Sequence, residues 1–329
     1  MPPNDSPVLK SNSSNLKMLL FKNSVSLCVS GVENRRGAER CRVNAEFFLI
    51  CLIVLIVPQA VRGQHLTDPQ FKPTVERPAY PKNAPRVLFD EAHFNLHTST
   101  NRYKPFTELS MNDGYRIVIN RQPFTRKSLD TFKIVIIVNA LGEDIDETEA
   151  DNPAFTEEEC VALRDWVKDG GSLLFIADAG PPAKSASEFA KYFGIEMSGT
   201  VAVDAKKSSS IEYSRENGLL GEHSIMQGRD AAEKIQRVMV FTGQTLAGPP
   251  DSVVLLKTSE AGTVDTKKSG QGLAFKFGSG RVVALGDAEM LTALLSEPPE
   301  NSPIGMNYPD VDNKQLTLNI MHWLSGLIR

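Results

Sequence analysis

The sequence predicts an α/β protein whose strands form an open, mostly parallel sheet with helices on both faces. Near-continuous apolar runs, typical of strands that are buried on both faces, alternate with helical segments along the chain. The clearest helical segment, Phe155–Gly171, ends in two glycines and is followed directly by the next apolar run. This architecture is flavodoxin- or Rossmann-like, and 329 residues are enough for one such domain with appendages.

The parallel part of the sheet is predicted from five apolar runs. In order they are Arg86–Asp90 (RVLFD), Tyr115–Arg121 (YRIVINR), Lys133–Ala140 (KIVIIVNA), Ser172–Asp178 (SLLFIAD) and Gly280–Asp287 (GRVVALGD). Helices are predicted at Lys104–Gly114, Gln122–Phe132, Phe155–Gly171, Ser185–Ile195 and Asn313–Ile328. Thr156 and Glu159 have the spacing of a capping box at the start of the third helix. Residues 199–278 contain short apolar runs separated by turn residues, which predicts antiparallel strands added to the sheet.

Residues 1–63 are predicted to be a signal or leader segment. Four arginines precede a short apolar run at Phe47–Val57, and Val61 and Gly63 fit a cleavage site before Gln64. The run is shorter than the roughly 20 apolar residues of a membrane span. We therefore expect export to the periplasm or secretion, with membrane anchoring by residues 47–57 as the alternative. Residues 64–84 are rich in proline, which predicts an extended linker ahead of a single domain at 85–329.

The positions of the cysteines agree with the predicted boundary between leader and mature chain. Cys28, Cys41 and Cys51 lie in the predicted leader, so Cys160 is the one cysteine of the expected mature chain. A single cysteine cannot form an internal disulfide bond. Its position inside a predicted helix favours a buried thiol over a nucleophile.

The stretch Arg86–His97 (RVLFDEAHFNLH) contains Asp-Glu-Ala-His, the spelling of an acidic box found in helicases. In helicases this box acts together with a phosphate-binding loop, G-x-x-x-x-G-K-[ST]. The sequence has no Gly-Lys dipeptide, and its net charge of −4 provides no basic surface for nucleic acid. The sequence therefore excludes a nucleic-acid motor and predicts no nucleic-acid partner.

Polar residues follow the ends of the predicted parallel strands, where open α/β sheets bind their ligands. The candidate ligand-binding or acid–base residues are Asp90, Glu91, His93, Asn95, Asn139, Asp178, Asp287 and Glu289, together with His223, which lies in the turn-rich loop GEHSIMQGR and is expected to face the same crevice. For the aspartates, capping of a following helix is the alternative role. Asp90, His93 and His97 are the candidate metal ligands, because two histidines four residues apart share one face of a helix. Their spacing marks no usual third ligand, so no metal site is predicted, and the sequence points to no cofactor.

The chain resembles the class I glutamine amidotransferase-like fold and, within it, the uncharacterised bacterial DUF4350 group. The resemblance extends from about Arg86 to the C-terminus. It rests on VLFDEAHFN, FTEEECVALRDWVKDGGSLLFIAD, GEHSIMQGR, FTGQTL and GRVVALGDAEM followed by DNKQLTLNIMHWL. Catalytic members of that fold carry a cysteine in a Gly-x-Cys-x-Gly turn, paired with a histidine and a glutamate after a later strand. Here the turn is IADAG, with Asp178 or Ala179 in place of the cysteine, and GDAEM has no histidine. The resemblance therefore implies the fold without glutaminase activity.

Two classes of function remain open from the sequence. The first is a non-catalytic binding or scaffold domain at the cell envelope, with a small ligand or an envelope protein as its partner and with membrane contact only through an uncleaved leader. The alternative is a hydrolase-like enzyme with a carboxylate–histidine centre of Asp90, His93, Asp178 and Asp287. In that centre a clustered carboxylate of raised pKa would act as a general acid or base.

Overall fold

The computed structural model describes residues 66–144, 152–204, 206–258 and 270–329. The predicted leader at residues 1–63, including its apolar run, lies outside the described residues. Among those described, no helix is both long and apolar enough to cross a membrane. The architecture is a mixed α/β fold built on one large sheet.

The strands and helices follow the alternation seen in the sequence. The strands are β1 (Leu66–Thr67), β2 (Arg86–Asp90), β3 (Arg116–Asn120), β4 (Ile134–Val138), β5 (Ser172–Ile176), β6 (Glu196–Val201), β7 (Ile211–Ser214), β8 (Arg237–Val240), β9 (Gln244–Ala247), β10 (Val253–Lys257), β11 (Gly270–Phe277), β12 (Gly280–Leu285), β13 (Ala293–Leu295) and β14 (Pro303–Gly305). The α-helices are α1 (Lys104–Asn112), α2 (Arg126–Leu129), α3 (Glu157–Lys168), α4 (Pro181–Ser185), α5 (Ser187–Lys191), α6 (Ser224–Gln227) and α7 (Asn313–Ser325). Single 3₁₀ turns lie at Ala231–Glu233 and Glu289–Leu291.

The large sheet has the strand order β3-β2-β4-β5-β12-β11-β9-β6, and β10 pairs with β11. The first five strands are mutually parallel, whereas β11, β10, β9 and β6 pair antiparallel. The sheet is therefore mixed, which corrects the expectation of a mostly parallel one. The physical reason lies in the short connections: β11 and β12 are joined by two residues, a loop length that only antiparallel strands allow.

The parallel strands β2, β4, β5 and β12 are buried on both faces and separate two apolar cores, whereas β3, at the edge of the sheet, is mostly half-buried. Val87 and Phe89 of β2 face a core that includes α1 and α7, while Leu88 faces a second core with α3 and α5. This arrangement follows from the period of two along a strand, which sends successive side chains to opposite faces. The near-continuous apolar runs of the sequence are explained by this burial on both sides.

The helix α3 begins and ends as its sequence predicts. Thr156 Oγ1 accepts a hydrogen bond from the Glu159 backbone N–H at 3.3 Å, and Glu159 Oε2 accepts from the Thr156 N–H at 3.0 Å. After the helix, Gly170 adopts a φ of 121°, and a Cβ on Gly171 would lie 2.5 Å from the ring of Trp166. Both glycines are therefore needed to turn the chain tightly into β5.

The proline-rich stretch ahead of β2 is extended, but it packs on the domain. β1 pairs with β13, and Phe71, Val75 and Tyr80 are partly buried against the α1 and α7 core. Arg77 forms ion pairs with Asp230 and Glu233 at 2.6 and 2.8 Å. The segment between Leu66 and Pro85 is thus an arm tied to the domain by side-chain contacts, where the sequence predicted a linker leading away from it.

Candidate functional site

The parallel strands β2, β4, β5 and β12 finish at one edge of the sheet, here called the strand-end edge. Asp90 and the loop to His97 follow β2, while Asn139 follows β4. Asp178 follows β5, and Asp287 and Glu289 follow β12. The structure brings these residues together as two neighbouring groups, which differ in whether a cation is present among the carboxylates.

The first group is the His93 network, formed by Asp90, His93 and Glu159. The His93 ring is held at both nitrogens: Nδ1 lies 2.8 Å from Asp90 Oδ2, and Nε2 lies 2.9 Å from Glu159 Oε1. Asp90 is fully buried and also accepts from Asn120 Nδ2 at 3.1 Å. Glu159 Oε1 accepts a further hydrogen bond from the Phe124 backbone N–H at 2.9 Å. The network therefore joins the end of β2 to the N-terminus of α3.

The pKa values of His93 and Glu159 shift in the directions that stabilise the ion pair between them. Burial alone lowers the pKa of His93, but hydrogen bonds and charge from Asp90 and Glu159 outweigh it and raise the pKa to about 9. Burial raises the pKa of Glu159, but its hydrogen bonds with His93, Thr156 and Phe124 dominate and lower it to about 2. At neutral pH His93 is charged, and neither of its nitrogens is available to accept a proton.

Aromatic rings cover the remaining faces of His93. Its ring centroid lies 4.4 Å from that of Phe155 and 5.1 Å from that of Phe124. The histidine is 6% exposed, so little solvent reaches it. Both the hydrogen bonds and the packing give His93 a structural role between two elements of the fold.

The polar side-chain atoms of Glu91 and Asn95 also contact other parts of the protein. Glu91 accepts from the Ser99 N–H at 2.9 Å and pairs with Arg121 at 3.3 Å. Asn95 Nδ2 donates to Asp90 Oδ2 at 3.2 Å and to the Val138 carbonyl at 3.1 Å. These contacts fix the loop after β2 against the end of β4.

The second group is the carboxylate cluster, formed by Asp178, Asp287 and Glu289. Asp178 Oδ1 accepts from the Ala288 N–H at 2.6 Å, and its Oδ2 accepts from Asn139 Nδ2 at 2.5 Å. Asp287 is fully buried, and its oxygens accept from the backbone N–H groups of Phe241 at 2.5 Å and Glu289 at 2.7 Å. Asp287 therefore caps the 3₁₀ turn that follows it, which is the capping role weighed as the alternative. Asp178 and Glu289 remain half-buried.

The pKa values in the carboxylate cluster are raised. Burial raises the pKa of Asp178, and the charge of Asp287 adds to it, to about 8. Burial and Asp287 likewise raise the pKa of Glu289 to about 7, against an opposing effect of Arg102. Burial raises the pKa of Asp287 as well, although its backbone hydrogen bonds oppose the shift. Burial is the largest cause of all three shifts, and the charge of Asp287 adds to those of Asp178 and Glu289.

Asn139 and His97 lie beside the carboxylate cluster. Asn139 has a φ of 47°, and its side chain contacts Asp178 and, through Nδ2, the Nδ1 of His97 at 3.0 Å. Burial lowers the pKa of His97 to about 3, so the ring is neutral. Its Nδ1 accepts from Asn139, and its buried Nε2 has no hydrogen-bond partner among the described residues.

The structure also bears on the candidate metal ligands Asp90, His93 and His97. Both nitrogens of His93 are occupied, and the Nδ1 of His97 is turned to Asn139. Among residues 66–144, 152–204, 206–258 and 270–329, no group of three or more His, Cys, Asp or Glu side chains is arranged to hold a metal ion.

His223 lies away from the strand-end edge, which corrects the expectation that it faces the same crevice. Its Nδ1 accepts from the Ile225 N–H at 3.2 Å, and its ring is 5.0 Å from that of Trp323. Trp323 in turn packs on Arg281, which lies at the amino end of β12. A turn-rich loop carries no information in its sequence about which end of the sheet it reaches.

Sequence reasoning missed Glu159 and Asn120 as partners of Asp90 and His93. Glu159 has the capping-box spacing that explains a glutamate at that position, so nothing marks its second oxygen as a partner of His93. Asn120 is the last residue of β3, and its position is similar to that of Asn139, which directly follows β4. This position at a strand end is the sequence signal that could have identified Asn120. Cys160 is buried in α3, and burial raises the pKa of its thiol to about 11, as expected for an inert structural cysteine.

Comparisons with known proteins show a likeness of fold. The chain is similar to the mmIFT52 N-terminal domain, with 15% identity, a TM-score of 0.53, and coverage of 73% of this chain and 97% of that domain. It is also similar to a ThuA-like protein from Parabacteroides merdae ATCC 43184 (12% identity, TM-score 0.44, 74% of this chain and 91% of that one). A GMP synthase protein from Thermoplasma acidophilum is a further similar structure (12% identity, TM-score 0.42, 75% of this chain and 96% of that one).

The comparison with protein-family models finds no match, and the comparison with curated proteins finds none. At 15% identity, the likeness to the mmIFT52 domain shows a shared fold and nothing about activity.

Proposed function

We propose that this chain is a non-catalytic ligand- or partner-binding domain with a class I glutamine amidotransferase-like fold, belonging to an exported protein of the cell envelope. The observation that carries the proposal is the His93 network. The histidine of the best catalytic candidate is buried, charged and bonded at both nitrogens. A general base needs a free ring nitrogen within reach of a substrate proton.

The absence of an amidotransferase nucleophile from the sequence supports the same proposal. The position after β5 that would hold the cysteine is Asp178 or Ala179. Cys160 cannot replace it, because it is buried in α3 and its thiol pKa is raised to about 11. Thiolate catalysis needs an accessible sulfur of lowered pKa beside a base. The finer resemblance to the DUF4350 group, the export and the envelope location rest on the sequence patterns.

A hydrolase-like enzyme is the second candidate, and the carboxylate cluster favours it. Asp178 and Glu289 are half-buried at the strand-end edge, and their raised pKa values are suited to general acid chemistry near neutral pH. The His93 network would then support the site from outside. This candidate ranks second because Asp178 already contacts Asn139 and the Ala288 N–H, and these contacts occupy both of its oxygens.

Activity measurements on the full chain test the proposal. We expect no turnover of glutamine or of chromogenic ester, phosphate and glycoside substrates above that of the heat-unfolded chain. Turnover that is lost in Asp178→Asn or Glu289→Gln, but kept in a control variant of the exposed Asp144, would contradict the proposal and select the hydrolase. Asp144 is a matched control because it follows β4 near the same edge but is exposed.

Two further measurements address the ligand and the location. A thermal-shift screen with divalent metals and small metabolites should reveal a ligand as a rise in unfolding temperature, since a ligand that binds the native state stabilises it. Sequencing of the mature N-terminus in a native host is expected to find cleavage before Gln64. An intact leader on cytoplasmic protein would overturn the export part of the proposal.

A further inference from the structure

Cations lie at the same end of six neighbouring strands, at the end of the sheet opposite the strand-end edge. At this amino-end edge β3, β2, β4, β5 and β12 begin, and β11, which is antiparallel to them, finishes. Each of the six strands has a lysine or arginine at this end or within a few residues of it. In the order of the strands across the sheet, these cations are Arg116, Arg86, Lys133, Lys168, Arg281 and Lys276, here called the basic row.

The first three members of the basic row lie side by side on adjacent strands. Arg116 is the register partner of Arg86 across β3 and β2. The Lys133 N–H donates a hydrogen bond to the Arg86 carbonyl at 2.8 Å. Each of the three directly precedes a residue that packs on the α1 and α7 core, so all three side chains lie on the opposite face of the sheet.

The other three members lie around the turn between β11 and β12. Lys276 is the register partner of Arg281, and the Lys168 carbonyl accepts a hydrogen bond from this turn at 2.8 Å. Ser172, the first residue of β5, joins the two halves of the row. Its N–H donates to the Lys133 carbonyl at 3.1 Å, and it is the register partner of Arg281. With neighbouring strands about 4.8 Å apart, the row is roughly 24 Å long.

The basic row is not neutralised by acidic side chains. Within the described part of the chain, none of its members forms an ion pair with a carboxylate. Asp130 and Asp169, which lie at this edge, both pair with Arg126. Asp113 is buried and lies 2.8 Å from His322. The amino-end edge therefore has a surplus of positive charge, although the chain has a net charge of −4.

Helix ends explain part of this surplus. The helices α1, α3 and α7 end at the same edge, and the negative end of a helix dipole attracts cations. Lys133 donates to a backbone carbonyl just after α3 at 3.3 Å, and Arg281 donates to one just after α7 at 2.8 Å. Arg116 and Lys276 are different, because both are exposed and neither side chain forms a hydrogen bond to another described residue.

The half-buried cations also act on one another. Burial lowers the pKa of Lys133, and the charge of Arg281 lowers it further. Burial and the charge of Arg329 lower the pKa of Arg281 in the same way. An anionic surface placed against this edge would offset the repulsion between these like charges.

Exposed apolar side chains accompany the cations. Leu327 is 40% exposed after α7, and the carbonyl of the next residue accepts from Arg281 at 2.8 Å. Met111, in the last turn of α1, is 49% exposed. The ends of these two helices are joined by a hydrogen bond of 3.0 Å between the hydroxyls of Tyr115 and Ser325. Cations with apolar side chains among them are typical of surfaces that bind anionic membranes.

We propose that the amino-end edge is a peripheral contact surface for a membrane rich in anionic lipids. The basic row lies along the lipid headgroups, and Leu327 and Met111 contact the membrane beside it. Cations spread over roughly 24 Å suit many headgroups, whereas the ligands of one small anion would converge on a point. The inference goes beyond the proposed binding function, and it adds a membrane contact to the one through the leader that the sequence suggested.

Vesicle binding by the full chain tests this proposal. The probes are vesicles of phosphatidylcholine alone and vesicles in which about 30% of the lipid is phosphatidylglycerol. We expect binding to the anionic vesicles to be at least about tenfold tighter. This preference should fall as salt rises from about 0.05 M to about 0.5 M, because salt screens the charges. The neutral vesicles measure any contribution of the apolar run at residues 47–57.

A double substitution separates the basic row from total charge. Arg116→Gln with Lys276→Gln removes one exposed cation from each end of the row. A basic residue near an anionic surface strengthens binding about fivefold, so this variant should bind the anionic vesicles at least about tenfold more weakly. Lys206→Gln with Lys207→Gln is the matched control, since both lysines are exposed in the loop beyond β6, away from the amino-end edge. The control loses the same charge and should bind like the wild type, and thermal unfolding checks that both variants fold.

Two results would overturn the membrane proposal. The first is equal binding of the two double variants to the anionic vesicles, because the row would then add nothing beyond total charge. The second is equal binding of the wild type to neutral and anionic vesicles. If that second result came with binding of a fluorescent polyglutamate peptide that Arg116→Gln with Lys276→Gln abolishes, the row would belong to an acidic protein partner instead of a membrane.

Discussion

The His93 network and the carboxylate cluster occupy the same edge of one sheet, yet the pKa values of Glu159 in the network and Asp178 in the cluster shift in opposite directions. In the network a buried imidazolium lies between Asp90 and Glu159, and the pKa of Glu159 falls to about 2. In the cluster the neighbour of Asp178 is a second carboxyl group, that of Asp287, and the pKa of Asp178 rises to about 8. Burial acts in the same direction on both carboxyl groups, so the difference comes from the partner. A buried carboxyl group near this edge therefore has a lowered pKa where a cation is buried with it, as at Glu159, and a raised pKa where its neighbour is another carboxyl group, as at Asp178.

The largest expected effect is the loss of the shared cation. His93→Ala leaves two buried carboxylates facing each other, and breaking a buried ion pair from one side costs about 3–5 kcal/mol. Urea unfolding at pH 6 measures this free energy of unfolding. His223→Ala is the control, because His223 is a partly buried histidine whose cap is worth about 1 kcal/mol. Equal losses in the two variants would mean that the network adds no more than a single cap.

The contribution of the network should also depend on pH in a defined direction. The pKa of His93 is raised from 6.5 to about 9, so its stabilisation is complete below pH 6.5 and is lost as the pH rises through 9. The pKa of Glu159 is lowered from 4.5 to about 2, so its stabilisation is present above pH 4.5 and is lost as the pH falls through 2. The stability difference between wild type and His93→Ala should therefore be largest near pH 5 to 6.

An intermediate effect is expected at Asn139, whose side chain holds Asp178 and His97. Asn139→Gly retains the left-handed backbone but removes the hydrogen bonds to His97 and Asp178, which should cost about 1–3 kcal/mol. Asn139→Ala should cost more, since alanine adds backbone strain at a φ of 47°. Thermal unfolding of both variants at pH 6 checks the order, and a glycine variant as stable as wild type would show that these hydrogen bonds add nothing to stability.

The smallest effect is expected in the carboxylate cluster. The pKa of Glu289 is raised from 4.5 to about 7, so its favourable neutral form is lost as the pH rises through 7. Glu289→Gln should therefore match the wild type at pH 5 and be more stable at pH 8.5. Because Glu289 is partly solvated, the gain should be on the order of 0.5–1 kcal/mol. A variant that is less stable than wild type at pH 8.5 would show that Arg102 outweighs the repulsion from Asp287.

The sequence predicts which residues lie at the strand-end edge more accurately than it predicts the contacts that they make there. Asp90, Asn139, Asp178 and Asp287 are recognisable because each follows an apolar run, and parallel strands end together. The partner of His93 is hidden, because Glu159 lies 66 residues further on and already fits a capping box. The strand register that places α3 against β2 depends on packing between the two cores, which no local pattern encodes.

The extent of the antiparallel part was similarly hard to predict. Short runs between residues 199 and 278 indicate strands but not their neighbours. The order in which β11, β9 and β6 join β12 is set by long-range pairing, whereas helix ends such as Thr156 and Gly170 are local and match the sequence closely.

The arm from Leu66 to Pro85 has a consequence for the order of folding. Leu66 pairs with Leu295, and Lys314 of α7 holds the Lys72 carbonyl at 3.0 Å. The arm is synthesised before the domain, yet Leu295 and Lys314, which hold its first part, are made long after it. Such distant contacts close a very large loop and form late. The first part of the arm is therefore expected to stay undocked until β13 and α7 have been made, so its docking would report that these elements have folded.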